Sequence, residues 1–127
     1  MSIQLEINAL SEQWRKERSQ TQMTLGKLID QLSSMRDKDY IQGFGSPHSY
    51  RGYYSDLAFE PSDNEISVFS ALEICKSAMG EVFEGYKGCE FQMGRNTPIW
   101  MANYGRTGMK IVSLSEDGKF ELKEDEY

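Results

Sequence analysis

The sequence predicts an α+β domain in which N-terminal and central helices pack on one face of an antiparallel β-sheet, a meander. Three observations predict it. Apolar residues recur at helical spacing near the N-terminus and again after Pro61, the pattern shortens to β-type runs from Cys89 onward, and the helices precede the hairpins instead of alternating with them.

In chain order, Ile3, Ile7, Leu10 and Trp14 recur with Glu, Lys and Arg between them, the signature of an amphipathic helix over residues 1–20 whose apolar face suits an oligomer seam. A second helix is expected from an N-cap at Thr24 through Leu25, Leu28, Ile29 and Leu32 to Met35, where Arg36-Asp37-Lys38-Asp39 ends it. Residues 40–42 and 53–59 read as strands, and the glycines and proline of residues 43–48 mark a loop between them. Pro61-Ser62-Asp63-Asn64 announces a third helix, capped by Ser67, with Val68, Leu72, Cys75 and Met79 on its buried stripe and Gly80 at its end. Strands then follow at residues 89–93, 99–104, 109–114 and 120–122. Turns at 94–98, 105–108 and 116–118 join them. The 127 residues make one domain: the helix of 1–20, a core over 21–115, and an acidic hairpin or tail over 116–127.

A formal charge of −6 argues against coating duplex DNA or an anionic membrane. Cys75 and Cys89 are too few for a disulfide scaffold and form no C-x-x-C pair, so free thiols are expected. The opening Met1-Ser-Ile-Gln-Leu-Glu-Ile reads as neither a secretory signal nor a membrane span, and the expected location is the cytoplasm. The single histidine, His48, follows Pro47 with no orienting carboxylate nearby in the chain, which disfavours a Ser-His-Asp or Cys-His centre. Ligand spacing for zinc is missing, and no phosphate-loop or dinucleotide fingerprint occurs, so no metal and no cofactor are expected.

Between Gly43 and Gly108, however, lie nine of the eleven glycines, together with Tyr50, Arg51, Tyr54, Phe91, Arg95, Trp100 and Arg106. Glycine lets a backbone approach a ligand closely, arginine pairs bidentately with phosphate, and aromatic faces stack on bases. Residues 85–110 carry a net +3, whereas 116–127 carry a net −4. A local positive basin on an acidic chain suits a small anion. The expected ligand residues are Arg51, Arg95 and Arg106 for phosphate, Tyr50, Tyr54, Phe91 or Trp100 for stacking, and Asn96 and Asn103 for base or ribose edges. The same aromatics, Trp100 above all, also suit plain sheet packing.

The strings Ser-Tyr-Arg-Gly-Tyr-Tyr (49–54), Thr-Leu-Gly-Lys-Leu-Ile (24–29), Gly-Tyr-Lys-Gly (85–88) and Thr-Pro-Ile-Trp-Met-Ala-Asn-Tyr-Gly (97–105) resemble a family of small proteins encoded by phages and prophages. The likeness spans 24–112. These proteins in turn resemble phage anti-Thoeris sponges, which sequester cyclic ADP-ribose isomers made by TIR-domain enzymes, some also holding cyclic oligonucleotides of the CBASS pathway. The resemblance implies helices packed on an antiparallel sheet, a homo-oligomer that is a dimer or an assembly of dimers, and a non-catalytic cyclic-nucleotide binder acting in the bacterial host cytoplasm. Sponge pocket residues do not transfer position by position. Two alternatives stand beside it: a protein-interaction inhibitor of a host enzyme, and a nucleotide phosphoesterase with His48 as acid or base.

Overall fold

The computed structural model of the protein describes residues 22–51, 53–84 and 88–124. The helix expected over 1–20 lies outside the described residues. Helix α1 (Leu25–Ser33) starts where Thr24 accepts a hydrogen bond from Lys27 N through its hydroxyl, and α2 (Val68–Ala78) starts at Ser67, which caps Ser70 N in the same way. Both N-caps and the burial of Cys75 are as expected. The strands are β1 (Tyr40–Ile41), β2 (Phe44–Ser49), β3 (Leu57–Pro61), β4 (Ile66–Ser67), β5 (Val82–Glu84), β6 (Glu90–Gln92), β7 (Ile99–Met101), β8 (Met109–Leu114) and β9 (Phe120–Glu124).

The main sheet has five strands in the order β2-β3-β7-β8-β9, and small antiparallel pairs β1-β4 and β5-β6 flank it. The α+β class and the predominantly antiparallel sheet agree with the expectation. One pair departs from a meander: β3 and β7 run parallel, Leu57 facing Ile99 and Phe59 facing Met101. Parallel neighbours require a crossover of a dozen or more residues. Here α2 and the β5-β6 hairpin supply it, and β7-β8-β9 alone form the meander.

The expected loop at 43–48 is instead strand β2. Glycine and proline are tolerated there because β2 is the outermost strand and its pairing with β3 slips between Gly45 and His48, around Pro47 and a left-handed Ser46 at φ 44°. Conversely, the strand expected from Tyr53 begins only at Leu57, because Asp56 N bonds Tyr53 O and Tyr50 N bonds Asp56 O, closing a compact turn. Residues 102–104 likewise leave the sheet before the turn at Gly105, whose φ is 74°. The segment beginning at 116 supplies β9, whose Phe120 is part of the core.

Alternation along the strands divides the side chains between two faces. On one, Leu57, Phe59, Ile99, Met101 and Ile111 join Leu25, Leu28 and Leu32 of α1 and Val68, Ala71, Cys75 and Ala78 of α2 in the main core. Phe44 closes it beside Phe59 and Phe120, with ring centroids 4.7 and 5.6 Å away. The reverse face holds a second, smaller cluster of Tyr50, Ala58, Trp100 and Ala102. Among the described residues no helix is long and apolar enough to cross a membrane.

Candidate functional site

The reverse face is organised by one cross-strand row: His48 faces Ala58, Ala58 faces Trp100, Trp100 faces Lys110, and Lys110 faces Lys123. The chain leaving β2 folds back over this row. Tyr50 stacks on Trp100 with centroids 4.0 Å apart and planes at 7°, and Tyr53 extends the stack at 5.7 Å from Trp100. Small Ala58 leaves the space the rings fill. Asp56, fully buried, accepts a 2.8 Å hydrogen bond from Trp100 Nε1, which satisfies the indole donor and sets the ring's rotation.

This aromatic slab anchors the turn after β7. Tyr50 Oη accepts from Gly108 N at 2.9 Å, Glu60 Oε1 accepts from Tyr104 N at 3.2 Å, and Arg51 Nη1 donates to Gly105 O at 3.0 Å. Gly108 is required by close approach: a Cβ there would lie 2.2 Å from Met101 O. The result is an open cleft of about 500 Å³ lined by Arg51, Gly105, Arg106 and Thr107. Arg106 N bonds Asn103 O, which closes the turn, while its guanidinium has no carboxylate partner among the described residues. Arg51 uses one of its five N–H donors on Gly105 O. Two guanidiniums without a carboxylate partner among the described residues thus line one open cleft together with Thr107, a set of donors whose chemistry suits a tetrahedral oxyanion.

The expected ligand residues therefore separate. Arg51 and Arg106 meet at the cleft, Asn103 belongs to its turn, and Tyr50 and Trp100 lie beneath. As stacking platforms for a base, Tyr50 and Trp100 are corrected: they are 2% and 1% exposed, and their faces are spent on each other. Tyr54 is half-buried, its carbonyl accepting from Ser49 Oγ. Arg95 is drawn elsewhere, to a 2.5 Å ion pair with Asp30 on α1, and Asn96 stands in the same turn. That turn is clamped by Gly26, whose N donates to Arg95 O and where a Cβ would lie 2.8 Å from Arg95 Cβ. Phe91 faces Phe83 on the β5-β6 hairpin and packs against the main core. Thr107 and Glu60 were not anticipated; the hydroxyl inside Gly-Arg-Thr-Gly was the available signal for Thr107.

A second cleft of about 390 Å³, near Asp63, Glu65 and Asp117, carries mostly negative charge and is unsuited to an anion. His48 is 7% exposed, with Nδ1 2.9 Å from Ser46 O and its ring edge-on to Tyr104. Both cysteines are free thiols, and burial pushes the Cys75 thiol up to about 12. No protein-family model matches the chain, and no curated protein or solved structure is significantly similar to it.

Proposed function

We propose that this chain is a non-catalytic binder of a small phosphorylated nucleotide, and that it acts as a phage sponge for a cyclic nucleotide immune signal such as a cyclic ADP-ribose isomer. The observation that carries the reading is the meeting of Arg51 and Arg106, from segments far apart in sequence, at one open cleft with neither guanidinium paired to a carboxylate among the described residues. The turn that carries Arg106 is also tied to the Tyr50–Trp100 stack through Tyr50 Oη and Gly108 N, which limits the backbone freedom lost on binding.

Sequestration is favoured over hydrolysis because His48 is buried and is not among the residues lining the cleft, leaving it badly placed as an acid or base there. With the cyclic di- and trinucleotides as further candidate ligands, the test is a thermal-shift screen against these and cyclic ADP-ribose isomers, followed by chromatography of the recovered ligand. A ligand that binds only the folded state raises the melting temperature. The reading predicts a rise with at least one cyclic nucleotide and its recovery unchanged after heating. Conversion to product would establish an enzyme instead, and no shift with any of them would favour the protein-interaction alternative. The sponge reading also entails a homo-oligomer, which light scattering would distinguish from a 14.6 kDa monomer.

A further inference from the structure

Lys110 and Lys123 are direct register partners on the reverse face, in the same cross-strand row as Trp100. Like charges placed opposite one another in an antiparallel pair are destabilising, because the Cβ atoms are only about 4.5–5.5 Å apart. Neither lysine has an ion pair among the described residues, and Glu121, the carboxylate on the same face of β9, accepts from Ser113 Oγ at 3.0 Å. A lysine on an outer strand has an ordinary use in blocking edge-to-edge association, which accounts for Lys123 on β9. It does not account for Lys110, which is half-buried on the interior strand β8.

The pair is also close to the arginine cleft. Thr107 lines the cleft and is three residues before Lys110, so the two backbones are at most about 10 Å apart at roughly 3.3 Å per residue. Gly108, between them, is tied to Tyr50, and Tyr50 is stacked on the tryptophan that faces Lys110.

We infer that Lys110 and Lys123 form a second anion subsite beside the Arg51–Arg106 cleft, so that this face selects ligands carrying two neighbouring phosphate groups over those carrying one. This rests on the reading of the cleft as a phosphate site. Arginine forks hold the first phosphate in fixed geometry, and the ammonium pair, as mobile point charges, meets the second. Binding the second phosphate relieves the repulsion that the two lysines exert on one another in the unliganded protein.

The test is calorimetry on the full chain at low salt with inorganic pyrophosphate and inorganic phosphate as probes, using wild type, the double variant Lys110→Gln/Lys123→Gln, and the double variant Arg51→Ala/Arg106→Ala, each first shown to melt cooperatively. Wild type is expected to bind pyrophosphate at least about tenfold more tightly than phosphate, the step of one charge-assisted contact. The lysine variant should lose that preference and keep its affinity for phosphate; the arginine variant should lose both anions. A lysine variant that retains the pyrophosphate preference overturns the second subsite while leaving the cleft reading intact. An arginine variant that still binds phosphate as wild type does overturns the cleft reading, whatever the lysines do. Failure of wild type to bind either anion overturns both.

Discussion

Replacing Tyr50 with phenylalanine removes one oxygen atom and leaves the ring that stacks on Trp100 at 4.0 Å. The oxygen accepts from Gly108 N at 2.9 Å, and Gly108 sits where a Cβ would collide with Met101 O, so the turn has no slack to find another acceptor. Losing the bond and leaving a half-buried N–H unpaired costs about 1–2 kcal/mol. For a domain of this size that lowers the melting temperature by about 4–8 °C. The stack is preserved, so the near-ultraviolet circular dichroism of the aromatic cluster should stay close to wild type. Ligand affinity should fall as well, because the turn that presents Arg106 is anchored through this hydroxyl. Thermal melts with and without ligand measure both effects. A Tyr50→Phe protein as stable as wild type, binding equally well, would refute the claim that the slab positions the cleft.

Other perturbations separate structural from ligand-facing residues. Gly108→Ala forces the backbone away from Met101 O and Ala102, and should cost about 1–3 kcal/mol in a chemical melt; unchanged stability would show that the close approach is not required. Arg95→Ala breaks an exposed pair and should alter stability by less than about 1 kcal/mol, with ligand binding intact by calorimetry. Under native conditions a thiol reagent should label Cys89 alone, with Cys75 reacting only after denaturation; rapid labelling of both would contradict the burial of α2. Because burial raises the Cys75 thiol from 9.0 to about 12, its contribution to stability is complete below pH 9 and declines as the pH rises toward 12. Cys75→Ala should flatten that alkaline decline.

The helices were readable because their signals are local. Thr24 and Ser67 are hydroxyl caps directly before apolar stripes, and a cap bonds within its own first turn. The β8 and β9 runs were readable for a similar reason, as alternation bounded by a glycine turn. Strand β2 was hidden because Gly45 and Pro47 are loop residues unless the strand is outermost and bulged, and outermost position is decided by pairing partners elsewhere in the chain. The parallel β3-β7 pair was hidden in the same way, since nothing within either run encodes its neighbour. At the site, residue types marked the right stretch and could not sort it. Arg51, Arg95 and Arg106 look alike in sequence; Asp30 captures one of them from 65 residues away, and the Tyr50–Trp100 stack delivers the other two to one cleft.

The most direct test of the central claim is calorimetric titration of wild type, Arg51→Ala and Arg106→Ala with the cyclic nucleotide that gives the largest thermal shift, at two ionic strengths. If both guanidiniums hold phosphate, each substitution costs about 1.5–3 kcal/mol, roughly ten- to a hundredfold in affinity. Wild-type affinity should weaken as salt rises, and each variant should weaken less steeply, having lost a screened charge contact. Stability in the absence of ligand should change little, because both arginines are exposed. Variants that bind as tightly as wild type, with the same salt dependence, would contradict the account and remove the cleft as the binding site.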